Sequence, residues 1–535
     1  MSNDPNAPAN AETAIETGGR ETRSREGRGR ERRVRGGARG GGAIQQLPFK
    51  RLRNPYRPIE ILNEEQLDRI HHASMRLLEE IGMEVLHTDS LERFAKAGAI
   101  VDRDSKRVRV GRDMVMELAA KAPAEFNLRA RNPAHDVVIG GNHLVFTSVG
   151  GPAYLNDIER GKRPGNYPDM CDFIRIVQSL NVVHQEGGSP GEPVELPAES
   201  RHLDYYLAAM TLTDKSWQCW GLGGYRVRDA VDMLAIVFGE THDQLAANPA
   251  GITVINSNSP LRLDVPMGEG LTELARTGQA VAVTPFTLAG AMSPVTLAGA
   301  LAQQNAEALF MVALTQLVRP GANVIYGAFT SNVDMKSGAP AFGTPEYAKA
   351  QIVSGQLARR YKLPLRSSNV NASNVVDAQA TYESEMAIWS TIMGGVNYMI
   401  HAAGWLEGGL TASFEKLIVD AEMLQMMREF LEPPTIDEAE FGFEAVNEVG
   451  PGGHFFGVGH TLERYETAFY APLLSDWRNF ETWKQAGAEN ATQRAHKIWK
   501  QILREYQEPP MDPAVREELE AYVAKRKLEI AAGRL

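Results

Sequence analysis

Trp217, Trp220, Tyr225, Trp389 and Trp405 recur among neutral amides rather than among carboxylates. An aromatic face attracts a quaternary ammonium, which has no N–H to hydrogen-bond and is held by cation–π attraction. The same residue types fill ordinary cores, and Trp217 and Trp389 are expected there. Trp220 and Trp405 are candidates for an aromatic wall. With them, Tyr225, Phe329, Glu186, Asn256, Gln379, His401 and His454 form the expected substrate-binding set. The set is rich in aromatics and neutral amides and poor in charge clusters, and no member is assigned a catalytic role.

Several other chemistries lack their signatures. There is no H-E-x-x-H and no paired C-x-x-C, so no metal site is expected. Cys171 and Cys219 read as buried thiols rather than ligands. The Gly-rich segments form neither a P-loop nor a dinucleotide fingerprint. Ser259, in NSNSPL, is not in a nucleophile elbow. The D-x-H-x-x-G loop with which cobalamin-binding domains offer a His to cobalt is absent, so any corrin would be carried by another protein.

The elements that must position these residues alternate along the chain. Short runs bounded by Gly, Pro, Asn or Asp lie at Leu144–Ser148, Val182–Glu186, Trp217–Gly221, Ile252–Asn256, Val281–Pro285, Asn323–Gly327, Leu365–Asn369 and Asn397–His401. Helix-like stretches follow at Asp169–Leu180, Ser200–Leu212, Val227–Phe238, Leu271–Thr277, Leu297–Leu317, Pro345–Tyr361, Asp377–Met393 and Phe414–Leu431. Eight β/α units imply a parallel sheet closed as a (β/α)8 TIM barrel, with the active site at the C-terminal ends of the strands. The candidates above lie at those ends or in the loops beyond. Asp377 suits an N-cap, with Gln379 in the helix's first turn. Glu186 and Glu407 would position substrate or water, or cap helices. His454 and His460 would belong to a loop over the barrel mouth or to a purely structural loop.

An N-terminal α+β cap is expected over residues 45–141, the barrel over 142–432, and a C-terminal loop and helical extension over 433–535. In the cap, Asn63–Ile81 reads as an amphipathic helix with Asn63 as N-cap, Gln66 three residues on, and Gly82 as its stop. Trp483–Glu505 and Asp512–Ala531 read as charged helices that wrap the outside or meet a second subunit, so a homo-oligomer is expected. Residues 1–44 read as a disordered Arg/Gly-rich tail, with nine Arg between positions 20 and 43. It would be a tether to an anionic surface or RNA, or a solvated tail with no partner. Elsewhere the net charge of −11 disfavours nucleic acid. Two cysteines, no secretory signal and no long apolar run fit a cytoplasmic protein.

Longer blocks carry a resemblance. LNEEQLDRIHHASMRLLEEIGMEVLH, FNLRARNPAHDVVIGG, GGPAYLNDIERGKRPGNYPD, NSNSPLRLD, VDAQATYE, GWLEGGLTASFEKLIVDAEM and EVGPGGHFFGVGHT occur in this order between about Leu62 and Leu474. The chain resembles the trimethylamine methyltransferase superfamily in its pyrrolysine-lacking branch. The resemblance implies a (β/α)8 barrel without a permanently bound cofactor. It also implies transfer of a methyl group from a methylated amine, such as a betaine, to cob(I)alamin on a separate corrinoid protein. Trimethylamine members use pyrrolysine; the corresponding site would lie around Asn371–Val376, and only standard residues occur here. That points to a quaternary amine, from which a neutral amine leaves without an acid. An anionic tail on such a substrate would be held by His401, Arg366 or nearby amides. The competing readings are demethylation to a folate acceptor, and a quaternary-amine sensor without turnover.

Overall fold

The computed structural model describes residues 44–535; the Arg/Gly-rich stretch 1–43 lies outside the described residues. Eight parallel strands form the centre: β1 His143–Ser148, β2 Gln185–Glu186, β3 Ser216–Trp217, β4 Ile252–Ile255, β5 Ala280–Val283, β6 Val324–Gly327, β7 Leu365–Ser368 and β8 Tyr398–Ala403. Each falls within or overlaps one of the anticipated runs. Their order is β3-β2-β1-β8-β7-β6-β5-β4, and a parallel bridge between Gln218 and Ile252 joins the two ends. The fold is a (β/α)8 barrel. The strands are short and mostly buried because both faces are covered, one by helices and one by the barrel interior.

The crossover helices are α1 Tyr167–Ser179, α2 Arg201–Leu212, α3 Gly224–Phe238, α4 Val265–Arg276, α5 Leu297–Val318, α6 Pro345–Tyr361, α7 Ala378–Met393 and α8 Phe414–Phe430. Side-chain caps start six of them: Asn166, Asp264, Thr296, Thr344, Asp377 and Ser413 each accept a backbone N–H of the first turn. A cap satisfies otherwise unpaired N–H groups and fixes where the preceding loop ends. Those loops form the C-terminal face of the barrel.

The barrel is filled from below. Val145, Ile252, Ala280, Ala282, Ile325, Tyr398 and Ile400 point inward and pack against Phe126, Leu128, Val137 and Ile139. The last four belong to an antiparallel hairpin, Glu125–Leu128 with Val137–Gly140, which plugs the N-terminal end. The remainder of the N-terminal segment lies on the flank. Helix Glu64–Arg76 starts with the expected Asn63–Gln66 capping box and passes into a π turn, Leu77–Ile81, which Gly82 ends at φ 77°. With Thr88–Lys96 and Arg112–Ala119 it packs on α5, where Phe94 stacks on Phe310 at 4.4 Å. This cover explains why α5 is buried on all sides from Ala300 to Gln316 rather than being amphipathic.

The C-terminal helices wrap the outside. Ala491–Glu505 packs on α8 and α1, with Trp499 donating to Glu415 at 3.0 Å, and Pro513–Ala531 packs on α2 and α3. Two expectations need correction. Trp483–Glu505 is two helices, Phe480–Gln485 and Ala491–Glu505. The chain turns through positive φ at Gly487 and Ala488, and Asn490 caps the second helix. Trp389 is not core: it is 36 % exposed and packs edge-on against Phe430 on the surface. Ile139→Ala is expected to cost about 2–5 kcal/mol of stability in urea denaturation, because it opens a void in the plug. A loss below about 1 kcal/mol would show that the hairpin is not part of the barrel core.

Candidate active site

Above the plug the interior is open. A cavity of about 630 Å³ at the C-terminal ends of the strands is bounded by residues from all eight β/α units. Its lining includes Gly150, Gly151, Gly187 and Gly188 after β1 and β2 and, after the neighbouring β8, Trp405, Gly408 and Gly409. Gly187 and Gly150 are required by close backbone approach. A Cβ at Gly187 would strike the Ser148 carbonyl, and one at Gly150 the Gly187 carbonyl. On the rim, Leu222 and Leu410 expose apolar side chains.

One wall is aromatic. Phe286, Phe329, Phe342 and Trp405 form a connected cluster, with ring centroids 5.1 Å apart for Phe286–Phe329, 5.5 Å for Phe329–Phe342 and 6.0 Å for Phe342–Trp405. Trp405 is locked by a reciprocal pair of hydrogen bonds: its Nε1 donates to the Asn371 carbonyl at 3.1 Å, and Asn371 Nδ2 donates to the Trp405 carbonyl at 2.7 Å. Asp420 accepts the Gly404 N–H at 2.8 Å and pairs with Lys416, both fully buried, so the turn before Trp405 is fixed as well. Trp220 lines a different part of the cavity. Its backbone N–H donates to Tyr206 Oη at 2.9 Å and its ring stacks on Tyr205 at 6.1 Å.

His401 stands within β8, where the register with β1 shifts and its own φ is 56°. Bulges re-aim side chains, and a non-glycine residue in the left-handed region is held there by its surroundings. The ring faces the cavity 4.5 Å from Trp405, and its Nδ1 is buried with no hydrogen-bond partner. Burial, and secondarily the Arg366 charge, hold its pKa well below the ordinary 6.5, so the imidazole is neutral. Arg366, from β7, also faces the cavity. It is 2 % exposed, donates to the Ala328 carbonyl at 3.1 Å and lies 4.9 Å over the Phe329 ring. Its Nε has no partner.

Of the nine expected residues, Trp220, Phe329, His401, Trp405 and Asn256 line this cavity together. The other four stand elsewhere. Glu186 is buried against α2, where it accepts from Tyr205 and from the Gly188 N–H at 3.1 Å. Tyr225 lies beside the cavity wall, edge-on to His202 at 5.5 Å. Gln379 points along its own helix to Glu383 at 2.9 Å. His454 is exposed in the loop following Gly450, near Phe456, away from the cavity. Glu407 pairs with Lys162 at 2.7 Å, and Asp377 caps α7. Cys171 and Cys219 are buried thiols, and Cys219 also lines the cavity. Among the other lining residues, Phe286, Phe342 and Gln218 were not anticipated, while Arg366, expected to hold an anionic tail, does face the cavity. The signal for Arg366 was a charged side chain at an inward-facing strand position. Phe286 follows Pro285 by one place, whereas nothing in the sequence draws Phe342 to the site.

The architecture is that of a barrel enzyme with a deep, aromatic cavity at its catalytic face. Residues 26–531 match the trimethylamine methyltransferase (MTTB) family, and the chain belongs to that family. Glycine betaine methyltransferase of Desulfitobacterium hafniense (strain Y51) is 38 % identical over 471 residues, covering 88 % of this chain and 98 % of that one. Trimethylamine methyltransferase MttB of Desulfitobacterium hafniense (strain DSM 10664 / DCB-2) is 28 % identical over 475 residues, covering 88 % and 95 %. The solved monomethylamine methyltransferase (MtmB) of Methanosarcina barkeri superposes with a TM-score of 0.45 at 11 % identity, covering 84 % of this chain and 95 % of that one. Among the described residues no helix is long and apolar enough to cross a membrane.

Burial pushes the Glu186 carboxyl up to about 7, against an ordinary 4.5. The folded protein therefore keeps that proton while the unfolded chain releases it, and stability falls as pH rises from about 4.5 to 7. Glu186→Gln should remove that fall and raise stability at pH 8 by up to roughly 3 kcal/mol. Thermal unfolding of both proteins across this range checks it; parallel profiles would contradict the buried, protonated carboxyl.

Proposed function

We propose that the protein transfers a methyl group from a quaternary methylated amine of the betaine class to cob(I)alamin on a separate corrinoid protein. The observation that carries this reading is the cavity wall: Phe286, Phe329, Phe342 and Trp405 offer aromatic surface. The only carboxylate on the lining, Glu192, is paired with Arg201 at 2.5 Å. The similarity to a glycine betaine methyltransferase supports the same substrate class.

The chemistry suits such a wall. In a quaternary amine the nitrogen already carries its positive charge, so it leaves as a neutral tertiary amine with the N–C bonding pair and needs no proton. The corrinoid supplies a cobalt nucleophile whose electron pair forms the new bond to the methyl group. The positive charge fades in the transition state, and a tight carboxylate at nitrogen would stabilise the ground state more than the transition state. Aromatic faces bind the cation for about 0.5–2 kcal/mol each and leave it free to react. The residues of this chain then have to align the N–CH3 bond with the mouth and exclude water. The mutual hydrogen bonds of Trp405 and Asn371 supply that rigidity.

The mouth also fits a large acceptor. Cavities of roughly 300–1,000 Å³ bury drug-sized ligands, so a single small betaine leaves room above it. Leu222 and Leu410 give the rim apolar contact surface, and an added Cβ at Gly151 would meet no atom within 4 Å. A sealed pocket would have favoured a sensor instead.

Incubating the protein with cob(I)alamin and a panel of betaines and methylamines, and following the absorbance spectrum, tests the reading. Methylcobalamin is expected with a quaternary amine and not with trimethylamine. No methylation from any of them, with a cognate corrinoid protein present, would overturn it. Trp405→Ala is expected to lower kcat/KM roughly 10- to 100-fold and Trp220→Ala by less, in line with loss of one cation–π face and its packing. Full turnover in both would put the ammonium elsewhere.

A further inference from the structure

After Leu431 the chain leaves the barrel, and it is packed on it again by the helix Ala491–Glu505. Four short helices lie on this arm: Glu438–Phe441, Phe443–Val449, Gly459–Arg464 and Phe480–Gln485. Among their described residues Ala445 alone is buried. Its internal ties are weak: Arg464 reaches Glu440 at 3.8 Å, and His460 meets the Ala439 carbonyl at 3.3 Å. Its return is seated on α8, where Glu422 accepts the N–H groups of Leu473 and Leu474 at 2.7 and 3.0 Å. The composition is not that of a linker, which is poor in large apolar residues. Phe441, Phe443, Phe456, Tyr465, Trp477 and Phe480 all face solvent, with Phe443 74 % and Phe456 86 % exposed. Such rings forgo the burial that would offset the entropy of ordering them.

A second apolar face lies beside the root of the arm. From Tyr382 onward, the most exposed positions of α7 are Tyr382, Met386 and Trp389, one stripe at helical spacing. Those of α8 are Met426 and Phe430. Trp389 meets Phe430 at 4.9 Å, which joins the two stripes. A helix on the outside of a barrel ordinarily turns polar residues to solvent.

We propose that a second copy of this chain covers both surfaces: in a twofold dimer, the arm of each copy, residues 433–480, lies across the α7–α8 face of the other. The area is sufficient. Aromatic side chains this exposed show on the order of 100–150 Å² each, so six of them offer about 800 Å² per copy. That equals one partner's share of a stable interface and exceeds the largest apolar patch usual on a monomer. The placement is self-complementary. The arm starts just after Phe430 and returns at Glu422, so a twofold axis near the end of α8 exchanges the two arms in an isologous contact. A corrinoid carrier does not fit this face. α7 and α8 run back from the mouth, and Trp389 and Phe430 lie toward their far ends, so a carrier docked there would hold its cobalt away from the cavity. The two C-terminal helices do not supply the contact either, because they pack on their own barrel. The pairing is independent of the methyl-transfer reading.

Sedimentation of the full-length protein at micromolar concentration is expected to give the mass of two 58.8 kDa chains or an even multiple of it. Phe456→Lys on the arm and Met426→Glu on α8 both alter side chains that face solvent in the single chain, so circular dichroism should show each variant folded. Each is expected to weaken the pairing roughly 30-fold or more, as loss of a central interface contact does. A mixture of the two variants can form pairs with one unaltered arm-on-face contact and one lysine–glutamate contact. It is therefore expected to regain the dimer that neither variant forms alone. A monomeric wild type would overturn the proposal and leave the apolar face to a different protein. A dimer that survives both substitutions would overturn it, and so would a mixture no better paired than its components.

Discussion

Closure of the eight-stranded sheet is the constraint on which everything else rests. A parallel barrel has no free edge only if β3 meets β4, which it does through Gln218 and Ile252. Closure creates an interior that has to be filled or used. The hairpin Glu125–Leu128/Val137–Gly140 and the inward apolar residues fill its lower part. The upper part is left to polar side chains whose hydrogen-bonding atoms lack partners, among them Gln218 Nε2, Arg366 Nε and His401 Nδ1. A core built for stability alone would not leave these donors unmet. Their clustering in the one place where the barrel opens marks the boundary between scaffold and site.

The walls above that boundary combine two forces of different range. Aromatic contact is short-ranged and worth little per ring, so it needs Trp405 and its neighbours held in place. The chain meets that need with the Asn371 hydrogen bonds and the buried Lys416–Asp420 pair. The Arg366 charge acts over a longer distance. With an effective dielectric near 20, two unit charges about 6 Å apart interact by roughly 3 kcal/mol. A zwitterion turned the wrong way would lose that attraction and meet repulsion instead.

The barrel was legible in the sequence because its strands are short apolar runs punctuated by Gly, Pro and Asn, and most of its helices begin with Asp, Asn, Ser or Thr. Ser148, Asn256 and His401 could be placed at or near strand ends on that basis. The failures have physical reasons. Gln379 and His454 carry site-like chemistry, but Gln379 is satisfied by Glu383 on its own helix and His454 lies in an exposed loop outside the cavity lining. Glu186 ends β2 yet turns toward Tyr205 of α2, because strand-end position alone does not say which face a side chain takes. Phe342 reaches the wall through a long loop after β6, which no local periodicity reports. The break at Gly487–Asn490 was written in the sequence as a Gly followed by an Asn cap, inside a pattern that otherwise reads as one helix.

The most direct test of the account is a crystal structure of the protein soaked with glycine betaine. The account predicts one molecule in the barrel cavity, its carboxylate on Arg366 and its methyl groups beside Trp405, facing the mouth. A molecule bound in the reverse direction, one bound outside the barrel, or a cavity still empty at saturating concentration would contradict it.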